Sequence, residues 1–412
     1  MKVRLSRLLR IFSGNKHLIF SGISERIFFF LIFLIIARNY SAKQYGEIIT
    51  VFSLANIFII FFDFGLPVLL QKEVSLFGKK ASGFLNNVLL INIVFFPFYI
   101  FSVFFYCIIF YQSIQTNLII IISLTVYLFS LGNIFSKALS GLKLFKSLFF
   151  SLLVSRLYIL ILIISALLIS DPGMNEIFLI TMSGSAVQLA ILFYYTSKNK
   201  LISFKYFFDL KKSIILLKYA SPLGLAVIFN FLYDKIDIII ISKLTDFDQV
   251  AFYNIGYGIY KTSSLAYSFI FISGFTRISY IAGNKKAVSL FFKKYFSVLS
   301  AICLVIAIIL FAVPDILVKL IYTDKMAEAS PVLRILAFAV FGLAFNNLTG
   351  IMLNGLGMYK KNMYIALTGL LLNIILNIIF IPEYGILAAA TVTVVTEYYI
   401  FITGYLLISK HI

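Results

Sequence analysis

The chain has 412 residues, of which 62% are hydrophobic and only 12% charged. A soluble fold of that length cannot hide so much apolar surface, so composition excludes a soluble globular protein. The net charge of +19 does not point to nucleic acid, because the basic residues cluster in alternate gaps between long apolar runs.

Twelve such runs follow one another, at 17–37, 47–67, 84–110, 117–137, 147–169, 176–196, 214–241, 250–273, 292–314, 331–353, 362–382 and 385–408. A hydrocarbon core about 30 Å thick needs about 20 apolar helical residues. Only helices and closed barrels satisfy all backbone polar groups in lipid. The runs have helix length and lack the short alternation of barrel strands. The expectation is an all-α, polytopic membrane protein with twelve transmembrane helices.

Segment 1–16 precedes the first span. Leu5, Leu8, Leu9 and Phe12 fall on one helical face, and Arg4, Arg7 and Arg10 on another. This fits either an amphipathic helix on the inner leaflet or a basic cytoplasmic tail. No small-residue cleavage site follows the first run, so that run is expected to stay as a span. The linker 198–213 separates an N-terminal bundle, 17–197, from a C-terminal bundle, 214–412. Of 35 Lys and Arg residues, six (Arg38, Lys43, Lys243, Lys319, Lys325, Arg334) fall in one set of gaps and four (Arg26, Arg156, Lys235, Lys261) inside spans. The remainder lie in the other set of gaps or at the termini, which places both termini in the cytoplasm. Cys107 and Cys303 lie within apolar runs and read as packing residues, not a disulfide pair.

The two halves match at several short stretches. Ala138–Lys146 (ALSGLKLFK) aligns with Met352–Lys360 (MLNGLGMYK), Lys79-Lys80-Ala81 with Lys285-Lys286-Ala287, and Gln44-Tyr45-Gly46 with Phe252-Tyr253-Asn254. The order is kept and the offset nearly constant, which indicates internal duplication. Six helices per half is an even number, so the repeat is parallel. Two pseudo-symmetric six-helix bundles around a central cavity are expected. A tight cytoplasmic turn used twice would also give part of the match.

Longer motifs carry a family resemblance. Phe62-Asp63-Phe64-Gly65-Leu66-Pro67 ends span 2, and Ser140-Gly141-Leu142 with Phe145 follows span 4. Leu217-Lys218-Tyr219-Ala220-Ser221-Pro222-Leu223 opens span 7, which later carries Asp234-Lys235-Ile236-Asp237. Val250-Ala251-Phe252-Tyr253-Asn254 opens span 8, and Ile381-Pro382-Glu383-Tyr384-Gly385 leads into span 12. With these the chain resembles the polysaccharide transporter family, the Wzx-type O-antigen flippases of the multidrug/oligosaccharidyl-lipid/polysaccharide exporter superfamily. The resemblance implies a flippase carrying undecaprenyl-diphosphate-linked oligosaccharide across the bacterial inner membrane by alternating access. It implies as partners that lipid-linked substrate, the bilayer, a polysaccharide polymerase and a chain-length regulator. It also implies that the two extra helices typical of lipid II flippases are missing here.

Ionisable residues at membrane depth are costly and commonly functional. Arg26, Arg156, Lys235 and Lys261 are the candidate cations for a diphosphate, which they could hold by charge-assisted hydrogen bonds. Glu397, Glu25, Asp234 and Asp237 are the candidates for coupling to an H+ or Na+ gradient. Bland alternatives stand beside each: mutual compensation for Glu25–Arg26 and for Asp234–Lys235–Asp237, snorkelling for Arg156, and a cross-helix pair for Lys261 with Glu397. Asp63, near the inner end of span 2, reads as a cap or loop contact. Asn373 and Asn377, and Asn346, Gly350 and Asn354, form stripes suited to helix packing.

No Walker A motif, no HExxH and no Cys/His cluster is present, so no metal site and no cofactor are expected. Two rival functions remain: a drug/cation antiporter of the same superfamily, and a membrane glycosyltransferase using the acidic pair Asp246-Phe247-Asp248.

Overall fold

A computed structural model describes residues 2–202, 210–271 and 274–410. Part of the expected linker 198–213, residues 203–209, lies outside the described residues. Every regular element among the described residues is a helix.

The first half contains seven helices. α1 (Lys2–Asn39) runs unbroken from the basic segment into span 1. Its 38 residues reach about 57 Å at 1.5 Å each, longer than a bilayer core. α2 (Ala42–Asp63) stops earlier than the apolar run predicts. Phe64 and Gly65 take positive φ values of 44° and 71°, which no continuing helix tolerates. α3 (Leu66–Phe77) restarts the chain with Pro67 in its first turn, and buries Leu66, Leu69, Leu70 and Val74. α4 (Ser82–Phe110), α5 (Thr116–Gly141), α6 (Phe145–Ile169) and α7 (Met174–Lys198) complete this half. α4 is apolar on all sides. Phe98, Phe101 and Phe105 stand exposed, as expected of a face turned to lipid.

In the second half, α8 (Leu210–Leu244) is followed by α9 (Phe247–Ser263) and α10 (Leu265–Phe271), so span 8 is broken at Ser264. Asp246 is the N-cap of α9, its carboxylate accepting from the Gln249 N–H at 2.9 Å. α11 (Gly274–Ile281), α12 (Lys285–Ala312) and α13 (Pro314–Tyr322) come next. The short α13 was not foreseen. Its last carbonyls, Leu320 and Ile321, accept from the Arg38 guanidinium at 2.8 and 2.7 Å. α14 (Ala329–Leu336) and α15 (Ala339–Gly355) make one span bent by 49°. α16 (Tyr359–Ser409) is two spans merged across Gly385, whose φ of 59° and ψ of −145° suit only glycine.

By length and apolarity eight helices qualify as spans, and the bent α14–α15 pair makes nine. Dividing α16 at Gly385 adds a tenth. α8 is long enough but carries Asp234, Lys235 and Asp237, and α9 with α10 forms the broken span 8. The helices of the described residues are thus consistent with the twelve expected spans. The chain packs as two compact units, residues 1–32 with 54–228, and 33–53 with 229–412.

Candidate functional site

In unit 2, polar side chains at helical spacing on α8, α9, α15 and α16 converge on one another. Asp234 and Asp237 sit three residues apart on α8. Tyr253, Tyr257 and Lys261 follow at four-residue steps on α9. Asn373 and Asn377, then Thr393 and Glu397, do the same on the two parts of α16.

Asp234 is the hub of the charged half. Lys261 Nζ lies 2.7 Å from its Oδ1 and the Tyr257 hydroxyl donates to the same oxygen at 2.8 Å. Lys261 also donates to the Tyr257 hydroxyl at 3.2 Å. Lys235 Nζ stands 3.6 Å from Asp234 Oδ2. The Asp234–Lys261 pair keeps 28% and 37% of its side-chain surface exposed, so this ion pair is only partly enclosed by protein. Sequence spacing offered Lys261 no partner on its own helix. Its partner is Asp234 across two helices, and among the described residues no ion pair joins it to Glu397.

Asp237 points to the drier half and is 4% exposed. Its carboxylate accepts from Tyr253 Oη at 2.5 Å, Asn377 Nδ2 at 2.8 Å and Thr393 Oγ1 at 3.3 Å. Asn377 Nδ2 also reaches Asn373 Oδ1 at 3.1 Å, while Asn377 Oδ1 is buried without a donor. Glu397, 1% exposed, accepts from Asn346 Nδ2 at 2.9 Å. Gly342 lies directly beneath it, where an added Cβ would meet the Glu397 Cβ at 2.8 Å. The Asn stripes that read as packing surfaces thus hold acids, and Tyr253 was missed as a ligand. The four-residue spacing signalled the stripes, but which acid each one meets is set by tertiary packing.

In unit 1, Arg156 on α6 is 1% exposed, far too buried for snorkelling. Its guanidinium carbon lies 4.9 Å from the Phe29 ring centroid and 4.8 Å from that of Phe129. Two π faces hold the cation, while its Nε and Nη1 have no hydrogen-bond partner. Glu25 and Arg26 on α1 are exposed. Asp63, at the end of α2, accepts from Asn92 of α4 and Ser130 of α5. The structure brings Asp234, Asp237, Lys235, Lys261 and Glu397 together in unit 2, and leaves Glu25, Arg26 and Arg156 in unit 1.

Among the described residues no three His, Cys, Asp or Glu side chains group as metal ligands. The unit 2 arrangement thus holds three carboxylates and two ammonium groups, with both ammonium groups on Asp234 and neutral donors on Asp237 and Glu397.

Comparisons with known proteins agree on the class. A family model described as polysaccharide biosynthesis protein matches residues 15–281, and a second, MatE, matches residues 222–379. Two uncharacterised membrane proteins of Methanocaldococcus jannaschii, MJ1068 and MJ1375, are 34% and 37% identical over 112 and 102 residues, or 27% and 24% of this chain. The matched stretch spans 22% and 25% of those relatives' own length. Among solved structures, the lipid II flippase MurJ in an inward closed conformation aligns with a TM-score of 0.71 at 17% identity, over 95% of this chain and 87% of that one. An inward-facing multidrug resistance MATE transporter aligns at 0.74 and 11%, over 95% and 94%. The Vibrio cholerae MATE transporter VcmN aligns at 0.64 and 13%, over 100% and 99%. These likenesses establish a fold shared with those solved transporters. Of the acidic pair Asp246–Asp248, Asp246 serves as the N-cap of α9. With its family model matched over more than half its length, this multi-pass membrane protein belongs to the polysaccharide biosynthesis protein family.

Proposed function

We propose that this protein flips an undecaprenyl-diphosphate-linked oligosaccharide from the inner to the outer leaflet of the bacterial inner membrane, by alternating access driven by H+ or Na+. Both termini are cytoplasmic, and the halves 17–197 and 214–412 act as the two moving bundles. Membership of the polysaccharide biosynthesis family supports the substrate class, and the partly exposed Asp234–Lys261 pair is the observation that supports the mechanism. A diphosphate headgroup cannot cross hydrocarbon with its charge unpaired. Lys261, helped by Lys235 and by Arg26 and Arg156 of unit 1, receives it by charge-assisted hydrogen bonds. In the substrate-free state Asp234 holds Lys261. Cation uptake by Asp234, with Asp237, Glu397 and Glu25 as further acceptors, releases Lys261 to the substrate. A ligand can shift the equilibrium only through such differential affinity for two states.

Reconstituted protein tests this directly. In liposomes carrying lipid-linked oligosaccharide, sugar should become accessible to an impermeant oxidant from the far leaflet, and an inward sodium or proton gradient should change the rate. Sugar transfer or diphosphate cleavage would defeat the reading. A drug/cation antiporter is the second reading, supported by the excess of carboxylates over ammonium groups and by the MatE match. Gradient-driven efflux of an organic cation without any flipping would establish it instead. A polymerase and a chain-length regulator are the partners this role would place beside the protein.

A further inference from the structure

Asp63 has no role in the cycle just proposed, yet it is the most enclosed acid of unit 1. It is the last residue of α2, 5% exposed, at the point where the backbone turns left-handed through Phe64 and Gly65. Its Oδ1 accepts from Asn92 Nδ2 at 2.6 Å and from Ser130 Oγ at 2.9 Å, and its Oδ2 accepts from the same hydroxyl at 2.8 Å. Both donors are neutral. None of the ion pairs among the described residues includes Asp63. The titratable groups facing it are Tyr99 from α4 and Tyr127 from α5, neither of which can supply positive charge.

A buried carboxylate normally has a counter-charge or sheds its own. The surroundings of Asp63 supply no counter-charge, and a second group reinforces the deficit. Asn92 is 4% exposed, and while its Nδ2 donates to Asp63, its Oδ1 is buried with no donor. Three acceptor oxygens, two on Asp63 and one on Asn92, therefore share two donor groups, and the Ser130 hydroxyl adds a fourth oxygen. A hard, singly charged cation suits an all-oxygen set of this kind.

We propose that Asp63, Asn92 and Ser130 form a binding site for a small monovalent cation, H+ or Na+, within unit 1. The site joins α2, α4 and α5 at the left-handed break. Gly224 of α8 packs directly on the Phe64 carbonyl, where any Cβ would collide, so the break has little room to adjust when the site fills or empties.

The test uses full-length purified protein carrying Asp237→Asn, Glu397→Gln and the charge-balanced pair Asp234→Asn with Lys261→Met, to silence the three acids of the unit 2 site. Sodium binding is read with radioactive sodium, and proton uptake by infrared difference spectra of the carboxylic acid band across pH. One arm expects a sodium ion per chain that acid displaces, and the other expects a single protonation event without sodium binding. In either arm Asp63→Asn should abolish the signal. If the Asp63→Asn signal equals that of its parent in both measurements, the proposal is wrong. Should Asp63→Asn fail to fold, Asn92→Leu and Ser130→Ala each remove one oxygen. At least one should shift the sodium or proton midpoint tenfold or more, and unchanged midpoints in both would equally overturn the site. No transported substrate enters these measurements, so their outcome is independent of the flippase reading.

Discussion

Lys261 and Asp234 hold each other at 2.7 Å with 37% and 28% of their side-chain surface left uncovered by protein. Removing one charge from a pair of this intermediate exposure leaves the other desolvated, at a cost of about 1–3 kcal/mol. Lys261→Met is therefore expected to lower thermal stability, and Asp234→Asn added to it should restore most of the loss. Flipping should stay abolished in the double variant, because stability needs charge balance whereas diphosphate capture needs the cation. Lys261→Arg should keep partial activity, since charge survives while the single ammonium becomes a planar fork. Recovery of flipping in the double variant would remove Lys261 from the substrate path. Glu397 calls for a different substitution. It takes a hydrogen bond from Asn346, and no ion pair among the described residues includes it. Glu397→Gln keeps an acceptor for Asn346 at nearly the same volume, so stability should change by about 1 kcal/mol or less. If Glu397 couples transport, the variant should flip at a rate independent of pH and sodium. An unchanged ion dependence in this folded variant would end its coupling role. The identities of these side chains were legible in the sequence, because charge at membrane depth is conspicuous. Their partners were not: Asp234 and Lys261 lie 27 positions apart, and Asn377 and Asp237 are 140 apart. Periodicity reports the face a residue occupies and carries no information about the face opposite.

The helices themselves are written by apolar run length, whereas their interruptions are written by backbone geometry that hydropathy does not register. The break after α2 falls inside an apolar run and was missed for that reason, as was the 49° bend between α14 and α15. The turn after α5 was recognised through its repeat, and it has an energetic consequence. Leu144 N–H reaches Leu139 O at 3.0 Å and Lys143 N–H reaches Ser140 O at 2.9 Å, the paired bonds of a helix-ending Schellman turn. Met358 N–H to Leu353 O at 2.8 Å and Gly357 N–H to Asn354 O at 3.1 Å form the same pair after α15. The left-handed position is Gly357 in one copy, with φ of 78°, and Lys143 in the other, with φ of 59°. A lysine there bears strain that glycine avoids, partly offset by the greater freedom of glycine in the unfolded chain. Lys143→Gly should thus raise stability by about 0.5–1 kcal/mol, and Gly357→Lys should lower it by about 1 kcal/mol. Opposite signs at the two sites, read by thermal unfolding in detergent, are the discriminating result. Gly385→Ala should cost more, about 1–3 kcal/mol, because its φ and ψ lie where only glycine is comfortable and no neighbouring atom is there to blame.

At the scale of the whole chain the duplication governs everything else. The two helix-ending turns just compared lie 214 positions apart and share the same paired hydrogen bonds and left-handed position. Together with the ordered sequence matches at nearly the same offset, this favours a duplication over a single turn type used twice. A duplicated unit of six spans must re-enter the membrane in its original sense, whereas a unit of five or seven would invert. Lys146 and Lys360, equivalent residues that are both exposed in the first turns of α6 and α16, are then on one side of the membrane. Leu244, the last residue of α8, and Gln112, between α4 and α5, are exposed and are expected on the other. The labelling background is simple, since Cys107 and Cys303 are buried, form no disulfide and can be replaced by alanine. In intact cells an impermeant maleimide should label Leu244→Cys and Gln112→Cys. Lys146→Cys and Lys360→Cys should react only after permeabilisation, because positive charge is retained on the cytoplasmic side. Labelling of Lys146→Cys and Lys360→Cys from opposite sides would require an odd number of spans between them and would refute the parallel repeat. Labelling of both from outside would keep the repeat but reverse the orientation, placing the termini outside and removing the direction assigned to transport.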